Sequence, residues 1–434
     1  MTPAPSTTTP RRVLIFPGGT EIALEIREAL RNCKEAVLVA AGSPGGSHAE
    51  FAFARHHPLP TVHQAGWLEA LQVLVRREAI THIFPAHDDA LLALAEHAAE
   101  LHPAKVITSP LETCRITRSK VATHAALARV LPCPRRFAAA ADVTTFPVFL
   151  KPDRGQGSQR TGLAQNRAAL EELLAEDPDR TIWEHLPGEE YTIDCFSDRD
   201  RGLLYAAGRE RRRIRAGIAM SCRWVDRPEF GDYARRIAAV LPLHGAWFFQ
   251  LKRNAQGQLA LLEVAPRVGG TSALSRARGV NLPLLSLLEA DRVPLEVRPA
   301  GFAVVIDRAL RNRYRHDLDY RTVYCDYDDT LVIHGRVNPD AIQFLYQSVD
   351  RGIKLVLLTR HQGDLVAELR RRRLDGLFDQ IVHLGAAESK ADHIRDTPAL
   401  FIDDSFRERS DVSRVPGVHA VDPAMLEMLI DHRV

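Results

Sequence analysis

The 434-residue sequence is short of the features that would tie a chain to a membrane, a nucleic acid or a disulfide scaffold. No apolar run reaches about 18 residues, so no membrane-spanning helix is expected. Lys and Arg total 57 against 55 Asp and Glu, a net charge of +2 that does not point to a polyanionic partner. The chain also lacks an aromatic–basic stretch of the kind on which bases stack. The cysteines are Cys33, Cys114, Cys133, Cys195, Cys222 and Cys325, none in a CxxC or a paired spacing. That pattern argues against a zinc site or a disulfide framework and for reduced thiols in the cytoplasm. The Gly18-Gly19 turn has no complete GxGxxG, which argues against a dinucleotide site. Residues 1–10 are Thr/Pro-rich without an apolar centre and read as a disordered tail rather than a signal peptide.

What is present is an ordinary globular composition, 45% hydrophobic and 26% charged, long enough for two to four domains. Arg12–Pro17, Ala36–Ala41 and Ile83–Pro85 read as short buried strands. Helical spacing over Glu21–Arg31 and Trp67–Arg77 falls between them. Such alternation predicts a parallel, doubly wound sheet. Asp88-Asp89 is read as the N-cap of a helix over Ala90–Ala99, or as a substrate contact. Thr113–Val130 reads as one helix carrying Lys120.

The centre of the chain is Pro147–Arg160, PVFLKPDRGQGSQR. An apolar strand delivers Lys151, and the loop after it holds Gly155, Gly157 and Ser158. Glycine lets backbone N–H groups approach phosphate oxygens, and the lysine adds a point charge. A plain turn has the same composition. Further on, Thr181–Glu184 and Glu189–Phe196 read as strands joined by His185-Leu186-Pro187-Gly188, with Glu184 and Glu190 near the turn. Arg209–Gly217, RERRRIRAG, is a basic run, either a solvated face or a clamp for an anionic substrate. Phe248–Lys252 and Leu259–Val264 read as a hairpin that sets Gln250 beside Glu263. A carboxylate in an apolar strand needs a partner, and hydrated Mg²⁺ is a natural one. Arg267 follows.

Taken together and in order, these residues resemble the ATP-grasp superfamily over about Arg12–Pro299, in its carbamoyl-phosphate-synthetase-like branch of carboxylate–amine ligases. The resemblance implies that Lys120, Lys151 and the 155–158 loop bind ATP phosphates. Backbone at Glu184–Leu186 would meet adenine and Glu190 the ribose hydroxyls. Gln250 and Glu263 would hold Mg²⁺, with Mn²⁺ an alternative, and Arg267 would stabilise the transferred phosphoryl group. Arg209, Arg211 and Gly217 would face substrate. One position departs from the family pattern Glu-x-Asn-Pro-Arg: Ala265 stands where the asparagine would be, and alanine offers a cation no oxygen.

After an apolar piece at Phe302–Ile306, the Arg-rich stretch Arg308–Arg321 reads as a solvated connector. Thr322–Leu331, TVYCDYDDTL, then places Asp326 and Asp328 at the end of a strand. LVLLT ends in Thr359, Lys390 lies near the start of a later helix, and LFIDD ends in Asp403-Asp404. Strand–Asp-x-Asp, strand–Thr, Lys and strand–Asp-Asp in that order suit phosphoryl chemistry. The set resembles the haloacid-dehalogenase (HAD) phosphohydrolase superfamily over about Arg321–Val434. By that resemblance Asp326 is the nucleophile and Asp328 the general acid/base. Thr359 and Lys390 bind phosphate, and Asp403, with Asp328 or Asp404, completes a Mg²⁺ site with Asp326. Val332–Lys354 and Arg360–Ser389 leave no room for a cap domain, so an open site is expected.

The resulting expectation is an α/β and α+β multidomain chain. Residues 11–110 form a Rossmann-like pre-ATP-grasp domain and 111–310 an ATP-grasp fold with its lid at about 125–190. A linker at 311–320 leads to an uncapped HAD Rossmann-like domain at 321–434. The expected activity is a ligase turning ATP into ADP and phosphate through an acyl phosphate, joined to a Mg²⁺-dependent phosphomonoesterase. Its partners are a small carboxylate, an amine and a phosphorylated metabolite, with a homodimer compatible and no membrane or nucleic acid expected. The alternatives are a nucleotide-binding module that regulates a phosphatase, and nucleic-acid end processing.

Overall fold

The computed structural model describes residues 10–45, 47–155, 157 and 159–433. Ser158 and residues 1–9 of the expected tail lie outside them. The chain forms two compact units, Met1–Leu310 and Arg311–Val434. Among the described residues, no helix is long and apolar enough to cross a membrane.

The first unit opens with a parallel sheet. Its strands are β1 (Arg11–Phe16), β2 (Ala36–Gly42), β3 (His56–Pro58), β4 (His82–Pro85) and β5 (Lys105–Val106), in the order β3-β2-β1-β4-β5. Val13, Leu14 and Ile15 of β1 are fully buried on successive positions, as a central strand covered on both faces requires. The helix Glu21–Leu30 starts at Thr20, whose hydroxyl caps Ala23 N–H at 3.1 Å. Sequence reasoning missed the short β3 and β5, which have too few residues for a period-2 signal. The helix expected over Ala90–Ala99 runs over Asp88–Glu96 and is capped by His87, not by the two aspartates. Their side chains turn instead to Arg267 and Arg118.

A four-stranded antiparallel sheet follows: β6 (Arg136–Phe137), β7 (Val148–Pro152), β8 (Gly162–Ala164) and β9 (Arg180–Glu184), ordered β6-β9-β7-β8. Val148, Leu150, Ala164 and Ile182 bury one face against Leu170. The single helix expected over Thr113–Val130 is two, Leu111–Arg118 and Lys120–Leu127. The break is at Ser119, which takes an extended conformation and caps Ala122 N–H with its hydroxyl.

The third sheet is antiparallel and six-stranded. It comprises β10 (Glu190–Asp198), β11 (Gly202–Arg215), β12 (Ile218–Val225), β13 (Gly245–Arg253), β14 (Leu259–Ala265) and β15 (Val305–Asp307), ordered β14-β13-β10-β11-β12-β15. Its core includes Tyr191, Ile193, Trp247, Phe249 and Leu261, each worth about 1.5–3 kcal/mol in removed apolar surface. His185–Gly188 joins β9 to β10, so the expected hinge links two different sheets rather than the arms of one hairpin.

In the second unit β16 (Thr322–Cys325) is the centre of a parallel sheet with β19 (Lys354–Thr359), β20 (Gln380–His383), β21 (Ala399–Ile402) and β22 (Val418–Val421), ordered β20-β19-β16-β21-β22. A small hairpin of β17 (Val332–Ile333) and β18 (Arg336–Val337) follows the first strand. The stretch 311–320, read as linker, has no regular secondary structure, yet Leu318 and Tyr320 pack into this unit's core beside Phe344 and Leu345.

Candidate active sites

In the first unit, β7 pairs with β9 so that Lys151 lies opposite Thr181. The Thr181 hydroxyl donates to Lys151 O at 2.7 Å and accepts from Trp183 Nε1 at 2.7 Å, which holds the indole beside the lysine. Lys151 Nζ sits 5.0 Å from the centre of that ring. The side chain is buried and has no hydrogen bond or ion pair among the described residues. Burial, and then the like charge of Lys120, pull its pKa down to about 8. Lys120 opens its helix and donates to Gly155 O at 2.9 Å, so the second lysine is tied to the glycine-containing loop. Asp153 accepts from Ser119 Oγ and Val121 N at 2.9 and 2.8 Å and locks loop to helix.

On the facing sheet Gln250 and Glu263 are direct cross-strand partners of β13 and β14. Arg211 Nη1 donates to Gln250 Oε1 at 2.9 Å and to Glu190 Oε1 at 2.5 Å, while Nη2 donates to Gly217 O at 2.6 Å. One arginine thus ties together four of the expected site positions, itself included. Glu263 has no hydrogen bond or ion pair among the described residues. All of these groups line a cavity of about 250 Å³, together with Trp183, Glu184, His185 and Leu186. The structure therefore brings Lys120, Lys151, Gly155, Gly157, Glu184, Leu186, Glu190, Arg211, Gly217, Gln250 and Glu263 around one space.

Two expected residues stand differently. Arg209 is buried and forked onto Asp194, 3.0 Å at both Nε and Nη2. Asp194 also accepts from Ser275 Oγ at 3.1 Å. Asp194 thus neutralises Arg209 within the sheet, and Arg209 stands in the wall of the second cavity described below. Arg267 is forked onto Asp88, at 2.5 and 3.0 Å, with its guanidinium 5.2 Å from the Phe248 ring. Burial works to raise the Asp88 pKa, but Arg267 outweighs it and holds the carboxyl below its usual value. Ala265 lines a small hollow of about 30 Å³ between these residues and Lys120. Asp88 was visible only as half of a dyad at a strand end.

A second cavity, of about 470 Å³, shares Gly157, Gln159, Arg211, Gly217, Gln250 and Glu263 with the first. Its remaining wall includes Thr20, Thr271 and Arg308. Sequence reasoning found none of these three. Arg308 in particular was read as solvated, and it is half-buried because β15 docks on the edge of β12.

In the second unit the C-terminal ends of the adjacent parallel strands β19, β16 and β21 bring Thr359, Asp326 and Asp403 together. Lys390 Nζ lies 2.9 Å from Asp326 Oδ1 and 2.6 Å from Asp403 Oδ2. The helix at whose start Lys390 stands is one short 3-10 turn, Ala391–His393. Carboxylate oxygens of Asp326, Asp403 and Asp404 lie within 4.8 Å of one another. An all-oxygen set of this kind fits a hard divalent cation such as Mg²⁺. Burial raises the Asp326 pKa despite Lys390, and burial with the charge of Asp326 raises Asp403 to about 6. Burial disfavours the Lys390 charge, but the two carboxylates outweigh it and raise its pKa. The Asp328 side chain is not in the carboxylate group. It is half-exposed and 3.0 Å from His361 Nδ1, a neighbour that sequence spacing did not suggest.

A family model described as ATP-grasp in the biosynthetic pathway with Ter operon matches residues 176–306. Among solved structures, biotin carboxylase of Campylobacter jejuni, in a β,γ-ATP complex, superposes with a TM-score of 0.56 at 14% identity, covering 68% of this chain and 74% of that one. N5-carboxyaminoimidazole synthetase of Staphylococcus aureus, complexed with ADP, gives 0.55 at 13%, covering 70% and 83%. L-amino acid ligase of Bacillus licheniformis gives 0.53 at 18%, covering 68% and 78%. No curated protein matches the sequence. The family match and the shared fold support the ATP-grasp superfamily for this region, in a mixed α/β architecture.

Proposed function

We propose that the chain is a bifunctional enzyme: an ATP-dependent carboxylate–amine ligase in the first unit and a Mg²⁺-dependent phosphomonoesterase of HAD type in the second. Residues 11–110 serve as the pre-ATP-grasp domain, 111–310 as the ATP-grasp domain and 321–434 as the phosphatase. The observation that carries the ligase reading is Lys151, a buried ammonium that makes no direct ion pair among the described residues and feels Glu263, Glu190 and Asp153 only at longer range, in the wall of a cavity that Glu263 also lines. A buried, unpaired cation fits an anion that arrives from outside.

In this reading Lys120 and Lys151 neutralise the nucleotide phosphates, and backbone at Glu184–Leu186 takes the base. Glu190, already steered by Arg211, accepts from the ribose. Gln250 and Glu263 would hold Mg²⁺, which when bound offsets charge on the phosphoryl oxygens. A carboxylate oxygen of the substrate attacks the γ-phosphorus, the bond to the bridging oxygen breaks and ADP leaves. An amine nitrogen then attacks the acyl carbon, phosphate departs and the nitrogen loses a proton. Arg267 would face the transferred group once its fork with Asp88 opens.

In the second unit Asp326 attacks the phosphorus of a phosphomonoester and carries the phosphoryl group, which water then removes. Asp328 donates a proton to the leaving oxygen, and Thr359 and Lys390 hold the phosphate. Asp326, Asp403 and Asp404 would hold Mg²⁺, whose charge when bound lets a dianion approach three carboxylates. Six free thiols fit a reducing, cytoplasmic setting.

The test uses Asp326→Asn, which silences the phosphatase, with ATP, Mg²⁺ and pools of carboxylic acids and amines. ADP that depends on one pool and vanishes with Lys151→Ala supports the ligase. AMP would mean adenylation and sink the acyl-phosphate route. A second reading rests on Ala265 and on the Asp88–Arg267 fork: a nucleotide-binding module, without ligase turnover, that governs the phosphatase. Tight ATP binding with no ADP from any pool would favour it.

A further inference from the structure

We infer that the acid taken by the ligase carries a second anionic group, a carboxylate or a phosphate, which Arg308 binds at the far wall of the second cavity. The inference rests on the ligase reading and names its substrate class.

Four arginines, Arg209, Arg211, Arg267 and Arg308, line the 470 Å³ cavity. Of these, three are already neutralised. Arg209 is forked onto Asp194, Arg211 is paired with Glu190 and Arg267 is forked onto Asp88. Arg308 has no ion-pair partner among the described residues. Among the described residues its one side-chain hydrogen bond runs from Nη1 to the Thr271 hydroxyl, at 3.4 Å. Glu25, a carboxylate that feels the Arg308 charge, is bonded to Arg276 at 3.2 Å. Most of the guanidinium's five N–H donors therefore remain unspent.

Placement makes this more than a solvated surface arginine. The backbone N–H of Arg308 donates to Met220 O at 2.8 Å, which ends the pairing of β15 with β12 and fixes where the side chain leaves the sheet. Thr271, which receives its hydrogen bond, is buried in the loop after β14. Gln250 and Glu263 stand in the wall this cavity shares with the nucleotide cavity, whereas Arg308 and Thr271 do not. A substrate whose reacting carboxylate meets the shared wall would extend its other end toward Arg308. A planar fork with spare donors selects a carboxylate or a phosphate there. The phosphate case would also give the second unit a substrate made or used by the first.

The experiment uses the full chain with Asp326→Asn, ATP and Mg²⁺, and hydroxylamine as the nucleophile, reading ADP and hydroxamate. Three sets of acids of matched carbon length are compared: monocarboxylic, dicarboxylic and phosphorylated monocarboxylic. The expected result is turnover of one dianionic set at a KM at least about tenfold below the monocarboxylic set, the scale of one charge-assisted contact. Arg308→Ala should remove that gap by raising KM while kcat changes less than about threefold, and Arg308→Lys should restore part of it. Which dianionic set responds decides between carboxylate and phosphate. Equal turnover of all sets, unmoved by Arg308→Ala, overturns the inference and leaves the ligase standing. Calorimetric titration of the same acids without ATP separates the two failures. Dianion binding that Arg308→Ala abolishes, without any ADP formed, keeps the anion subsite and overturns the ligase. Neither binding nor turnover overturns both.

Discussion

Lys151 and Lys390 are both buried, and they differ in everything else that matters to a charge. Lys151 has an aromatic ring, a second lysine and carboxylates only beyond contact distance, and its pKa falls to about 8. Lys390 sits between two carboxylates at 2.9 and 2.6 Å, and its pKa rises. The first ammonium is complete only when an anion is supplied. The second is one part of a charge cluster that the fold itself supplies. On the proposed reading one site is poised to bind, the other to hold its own acids in place while a small group passes over them.

The largest effect that could break this comparison comes from the acids beside Lys390. Asp326→Asn should lower phosphomonoester hydrolysis by on the order of 10⁴-fold or more. It should leave ATP-dependent ADP formation within about twofold, both read on the full chain. Equal losses in the two assays would join what is here kept apart.

Next come the lysines themselves. Lys390→Met leaves Asp326 and Asp403 buried without their cation, and urea unfolding should show a loss of about 3–5 kcal/mol. Lys151→Met removes a charge whose burial outweighs its attraction to Glu263, Glu190 and Asp153, so stability should hold or rise. ATP affinity, measured by calorimetry, should fall about 100-fold. Matching stability losses for the two would refute the contrast.

A pH series sharpens it further. The folded pKa of Lys151, about 8, lies below its ordinary 10.5. Between those values the unfolded chain holds the proton and the folded one does not, so stability should rise with pH across that window. The destabilising effect is fully present below pH 8. ATP, by restoring an anion, should flatten this slope and draw in a proton on binding near pH 8.5. Binding with no proton uptake there would mean the nucleotide phosphates do not reach Lys151. The smallest effect belongs to the exposed pair Arg213–Asp307, where Arg213→Ala should change stability by less than about 0.5 kcal/mol.

The two regions were also unequally legible. In the second unit the candidate residues sit at the ends of neighbouring parallel strands, so Asp326, Thr359 and Asp403 are legible as the letters that close apolar runs. Its one surprise, His361 beside Asp328, lies in a turn, where no periodicity speaks. In the first unit Lys151, Gln250 and Glu263 were legible for the same reason, strand ends and a hairpin register. Pairings between distant elements were not. Nothing in the spacing says that Asp88 will capture Arg267 across 179 positions, that Arg209 will be closed off by Asp194, or that a short edge strand will carry Arg308 into a cavity. Such partners depend on which sheets meet, and local pattern carries no information about that. The break at Ser119 was readable in principle, since serine is a cap residue, but the apolar spacing on either side concealed it.

Gly157 and Gly217 both adopt the left-handed backbone region, and a Cβ on Gly217 would fall 2.6 Å from Gly157 Cα. The loop after β7 and the turn between β11 and β12 therefore meet backbone against backbone. Two positions sixty residues apart behave as one locus. A variant bearing any side chain at 217 would push the loop off the 250 Å³ cavity, and no single compensating change at 157 could relieve it, because glycine there is already the smallest residue. In a mutational landscape the pair is a dead end for stepwise change, fixed by geometry before any demand of catalysis is considered.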